Sequence, residues 1–71
     1  MGLMPVVIVY PPDEDGGRRV RVDGEISGRA FSLADVVEFL RRAGLDPIED
    51  TDVVAAGWIE WRGGGPLVWE H

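Results

Sequence analysis

With 71 residues and a net charge of −6, the chain has room for one small domain, residues 1–71, and folding withdraws only about 60% of the unfolded surface of such a chain from water. The absence of cysteine and the single histidine exclude a disulfide framework and a thiolate or imidazole metal cluster. Thirteen acidic against seven basic residues argue against a general nucleic-acid role, because affinity for a phosphate backbone depends on cations. Every cation is an arginine, and lysine, asparagine and glutamine are absent, a bias of GC-rich coding that points to a bacterial source. The apolar run from Pro5 to Tyr10 is too short for a signal-peptide core and far below the roughly 20 residues of a membrane span, so a cytoplasmic protein with no membrane partner is expected.

Val6 to Val9 form an unbroken β-branched run, the pattern of a central strand covered on both faces. Pro11 and Pro12 end it. Asp13-Glu14-Asp15-Gly16-Gly17 then makes an acidic loop without an apolar anchor, expected to be the most mobile internal segment. From Arg18 the period becomes two: Val20, Val22, Gly24, Ile26, Gly28 and Ala30 share one parity, and Arg19, Arg21, Asp23, Glu25 and Arg29 the other. A two-residue turn at Asp23-Gly24 would mix the two faces. A three-residue loop, Asp23 to Glu25, is therefore predicted, pairing Val22 with Ile26 and Val20 with Gly28; one long strand bent at Gly24 keeps the same parity and is the alternative.

A helix is predicted over about Leu33 to Ala43. Ser32 stands at the N-cap with Asp35 three residues on, Phe31 and Val36 occupy the positions of a hydrophobic staple, and Leu33, Val36, Val37 and Leu40 follow helical spacing. Gly44 fits the left-handed position after the helix, with Leu45 set to close a Schellman motif and Pro47 to prevent resumption. In the acidic connection from Asp46 to Asp52, Ile48 is expected to tuck back against the domain. A closing hairpin is predicted from Val53–Trp61 and Leu67–Trp69 around an odd-length glycine loop, which puts Ile59, Trp61, Leu67 and Trp69 on one face and Trp58, Glu60, Val68 and Glu70 on the other. The order β-ββ-α-ββ is that of a two-layer α+β domain: a mostly antiparallel sheet of four to five short strands with one helix packed on one face.

Three tryptophans fall within twelve residues of a chain holding six aromatic residues in all, more than one helix is expected to cover. Trp61 and Trp69 read as core. Trp58, with Glu60, Val68 and Glu70, reads as a partner interface, because tryptophan is enriched at interface centres. Arg19, Arg21 and Arg29, joined by Arg62, form a possible anion-binding stripe able to grip a carboxylate or phosphate, although the interleaved Asp23 and Glu25 equally fit cross-strand ion pairs.

The acidic runs Asp13-Glu14-Asp15-Gly16 and Asp50-Thr51-Asp52 fail the calcium-loop template, so no metal site is expected. The glycines of Arg62-Gly63-Gly64-Gly65-Pro66 lead into a strand rather than a helix N-terminus, which removes the usual reason to read a phosphate cradle. The catalytic inventory is thin. Ser32 is assigned to capping, no cysteine or lysine is present, and His71 stands at the last position of the chain, where a base would be frayed and water-exposed. The expectation is a non-catalytic protein-interaction or accessory module without cofactor. It is expected to be a homodimer formed through sheet surface or strand edges, with binding of a small anionic ligand or phosphorylated partner by the arginine stripe as the alternative.

Overall fold

The computed structural model describes residues 6–69. Its elements are β1 (Val7–Pro12), β2 (Arg18–Val22), β3 (Glu25–Ala30), α1 (Leu33–Arg42), α2 (Asp50–Ala55) and β4 (Ile59–Trp61). The four strands form one sheet in the order β3-β2-β1-β4, antiparallel between β1, β2 and β3 and parallel between β1 and β4. This is the α+β architecture read from the sequence, with β1 at the centre.

One face of the sheet carries Val7, Val9, Val20, Val22, Ala30 and Ile59, and the helices set Val36, Val37, Leu40 and Val53 against it, with Ile48 tucked in as expected. Apart from Ala30 and Leu40, every residue of this core is β-branched. Such side chains lose little rotamer freedom when a strand orders them, which helps a core this thin to close. The helices cover that face alone. Val6 is 62% exposed and Ile8 and Tyr10 are only half-buried, so β1 is central but is not covered on both faces.

The β2–β3 connection resolves the parity problem by a route other than the three-residue loop. Val22 pairs with Glu25 and Arg21 with Ile26 across the two-residue turn Asp23-Gly24, whose φ angles of 52° and 86° are those of a hairpin turn. The register then shifts: Val20 pairs with Gly28 and Arg19 with Arg29, leaving Ser27 as an extra residue in a β-bulge. The turn mixes the faces and the bulge restores them, so Ile26 lies 54% exposed instead of opposite Val22. Asp23 also fastens the start of β1, donating its N–H to the Val6 carbonyl at 2.8 Å and accepting from the Val6 N–H at 2.9 Å.

Helix α1 ends as expected: Gly44 (φ 98°) follows the last turn, its N–H donates to the Arg41 carbonyl at 3.0 Å, and the Leu45 N–H donates to that of Leu40 at 3.0 Å. Its start differs in detail. The Ser32 hydroxyl makes no cap hydrogen bond, and the Asp35 carboxylate instead accepts from the Phe31 N–H at 2.8 Å.

The C-terminal third departs most from expectation. Val53 and Val54 belong to helix α2, where Asp50 and Asp52 sit in the first turn and the Glu49 N–H donates to Asp52 Oδ2 at 2.9 Å. Carboxylates there favour the positive end of the helix dipole, a local preference that outweighs the strand tendency of a valine pair. Only Ile59–Trp61 remains as strand, alongside β1 rather than in a hairpin, and 62–69 crosses the end of the sheet without strand structure.

Candidate functional site

Alternation along the strands sends a second set of side chains to the face without helices. The register places Ile26, Arg21, Ile8 and Glu60 in one row across β3, β2, β1 and β4. Arg19 and Arg29 stand opposite each other in the next row, and Tyr10 and Arg62 continue it, the Arg62 guanidinium lying 5.3 Å from the Tyr10 ring centroid. All four arginines singled out from the sequence, Arg19, Arg21, Arg29 and Arg62, are therefore brought to one uncovered face of an otherwise acidic molecule.

Their electrostatic states differ. Arg29 bridges Asp13 at 3.0 Å and Asp15 at 2.9 Å, and Arg62 pairs with Glu60. Both guanidiniums are held above their ordinary value, Arg29 first by its hydrogen bond to Asp15 and Arg62 first by its hydrogen bond to Glu60, so both stay charged at any working pH. Among the described residues Arg19 and Arg21 have no carboxylate partner. Arg19 is exposed. Arg21 lies along the sheet with its guanidinium 5.9 Å from the Tyr10 centroid, and its Nε is buried with no acceptor. A polar N–H in that condition is a cost the fold carries unless something supplies the acceptor.

The bridges of Arg29 also change the reading of the acidic loop. Asp13 Oδ1 accepts from the Asp15 N–H at 3.0 Å, and the Asp13 N–H donates to the Gly17 carbonyl at 2.9 Å. These two bonds close the loop on itself, and Arg29 of β3 ties it to the sheet in place of the apolar anchor it lacks.

Arg18 was not among the candidates. It shares the parity of Val20 and Val22 and is 0% exposed, with its five N–H groups donating to the carbonyls of Tyr10, Arg62, Gly64, Gly65 and Val68 at 2.7 to 3.0 Å. Trp61 and Trp69 lie on it with ring centroids 5.4 and 5.3 Å from its central carbon, which is cation–π range for both. Burial pushes its guanidinium below the ordinary value, but that value starts so high that the group remains a cation. Arg18 thus holds the 62–69 segment over the end of the sheet. Gly63 (φ 78°) belongs to the same device, since a β-carbon there would stand 2.6 Å from the Pro11 Cβ.

The predicted interface set disperses. Trp58 is half-buried against the core just before β4, Glu60 is on the uncovered face with Arg62, Val68 lies in the segment held by Arg18, and Glu70 falls outside the described residues. Leu67, expected opposite Trp61, is 78% exposed. A surface cleft of about 480 Å³ opens between the β2–β3 turn and the end of α1, with Phe39 and Val22 as apolar lining and Arg42, Asp23 and Glu25 as charges of both signs; Ile26, on edge strand β3, borders both this cleft and the uncovered face. Among the described residues no group of three or more His, Asp or Glu side chains is arranged to hold a metal ion, and no helix is long and apolar enough to cross a membrane.

Comparison with protein-family models, with curated proteins and with solved structures finds no match to this chain.

Proposed function

We propose that the chain is a non-catalytic protein-interaction module whose working surface is the uncovered face of its sheet. The observation that carries this reading is the grid of Arg19, Arg21, Arg29, Arg62, Tyr10, Ile8 and Ile26 on a face that neither helix covers. Arginine and tyrosine beside aliphatic side chains is the composition of interface cores.

The strand edges support binding less well. Edge strand β3 carries a bulge, and edge strand β4 is three residues long, both ordinary devices against pairing with another chain. Face-to-face pairing with a second copy is opposed by charge, since it sets Arg19 and Arg21, which have no carboxylate partner among the described residues, against the same two residues of the other copy. The exposed Val6, Ile26 and Leu67 keep a homodimer as the second reading.

A photo-reactive amino acid at Ile26, on the face, and at Glu38, on the solvent side of α1, tests the proposal in cells of the source organism. The expected result is a discrete protein adduct from position 26 and none from position 38. Adducts from both positions alike, or from neither, contradict it, and an adduct of twice the chain's mass identifies a second copy as the occupant.

A further inference from the structure

The uncovered face has charge, size and spacing, and each narrows what it accepts. Four of the seven arginines stand on it, and two of those four are paired with three carboxylates of the same chain, Arg29 with Asp13 and Asp15 and Arg62 with Glu60, which leaves the cluster one net positive charge. The unmatched positive charge belongs to Arg19 and Arg21. Arg21 has in addition a buried Nε–H without an acceptor.

Size argues against a globular partner as the main contact. Four strands about 4.8 Å apart, in register over three or four residues of about 3.4 Å each, present roughly 200 to 260 Å². A standard interface takes about 800 Å² from each partner, so a second copy seated here would need much additional surface. A short extended segment fits the face as it stands.

Spacing supplies the third constraint. Arg19 and Arg21 are two residues apart on one strand, hence about 6.8 Å apart along it, and an extended peptide places its own i and i+2 side chains at the same interval. Ile26 and Tyr10 flank them and provide apolar borders.

Resting on the reading of this face as the working surface, we infer that it takes an extended acidic segment of another protein, lying along β2, with carboxylates two residues apart received by Arg19 and Arg21. Each carboxylate meets the open edge of a guanidinium, the planar fork that receives two oxygens at once. Single-stranded RNA is the competing anion. It is disfavoured because the rings beside the stripe, Tyr10 and Phe31, are already faced by guanidiniums of their own chain, Arg21 and Arg62 on Tyr10 and Arg29 on Phe31, which makes them a poor stacking platform.

The test is a titration of the full-length ¹⁵N-labelled chain, followed by amide shifts, with a capped Glu-Ala-Glu-Ala-Glu peptide, its Lys-Ala-Lys-Ala-Lys counterpart and an oligouridine. The expected result is saturable shifts confined to residues 8–10 and 19–21 with the acidic peptide alone. Affinity should fall about tenfold or more in Arg19→Ala/Arg21→Ala and weaken between 50 and 500 mM salt, roughly as screening of exposed charges requires. Arg19 is exposed and the Arg21 Nε has no acceptor among the described residues, so unchanged shifts elsewhere in the variant serve as the folding control. No saturable shift with the acidic peptide, equal binding by the variant, tighter binding of oligouridine at the same residues, or the same shifts on raising protein concentration alone each overturn the inference. An adduct at position 26 without acidic-peptide binding would leave the working surface standing and remove its acidic partner.

Discussion

Arg18 decides more of this structure than its residue type announces. Burying a cation without a carboxylate is costly, and here five carbonyls and two indole faces stand in for water. All five donors are used, so lysine cannot replace it: an ammonium has three donors, no fork, and cannot span the same carbonyls. Arg18→Lys is expected to lower stability by about 2 to 4 kcal/mol, with loss of amide-exchange protection first in 62–69. Chemical denaturation followed by tryptophan fluorescence checks it, and an unchanged midpoint would show that the cage contributes nothing. Sequence parity already set Arg18 apart from the stripe of Arg19, Arg21 and Arg29. What parity could not supply was the glycine-rich segment that arrives from 44 to 50 residues away to receive it.

Among the elements, those with local signals were legible and those fixed by distant contacts were not. Helix α1 and its glycine ending follow from spacing and capping within one stretch of chain, and central β1 from its β-branched run. The β2–β3 hairpin was half legible. Asp23-Gly24 is a strong two-residue turn signal, but face parity argued against it, because a bulge at Ser27 leaves no mark in an alternating pattern. If the turn is of this kind, Gly24→Ala should cost about 1 to 2 kcal/mol from its left-handed backbone alone, since a β-carbon there meets open space. A thermal unfolding midpoint equal to that of the parent chain would mean that the turn adopts another geometry. The closing hairpin is where sequence and structure part: the valines at 53 and 54 have strand tendency, and the carboxylates at 50 and 52 read from the sequence as an acidic connection that fails the calcium-loop template. As helix N-terminal residues those carboxylates carried the more local information.

At the scale of the whole molecule, the two short helices and four short strands of the described residues make two layers, and among those residues the outer face of the sheet has no third. The arginine stripe was legible because period-two alternation is written in β2 and β3. That Arg62 joins it across β1 and β4 follows only from the parallel pairing of those strands. Four of the seven arginines gather on this face, while α1 balances Arg41 and Arg42 against Asp35 and Glu38 and the acidic excess lies in the loops and on α2. The distinction between a bare face and one covered by another copy is directly measurable. Adding an inert gadolinium chelate to the free chain at micromolar to millimolar concentration relaxes side chains according to their access to solvent. Strong relaxation of Ile8, Tyr10 and Ile26 and little of Val7, Val9 and Val20 is expected at every concentration; equal protection of both sets would mean that the outer face is covered.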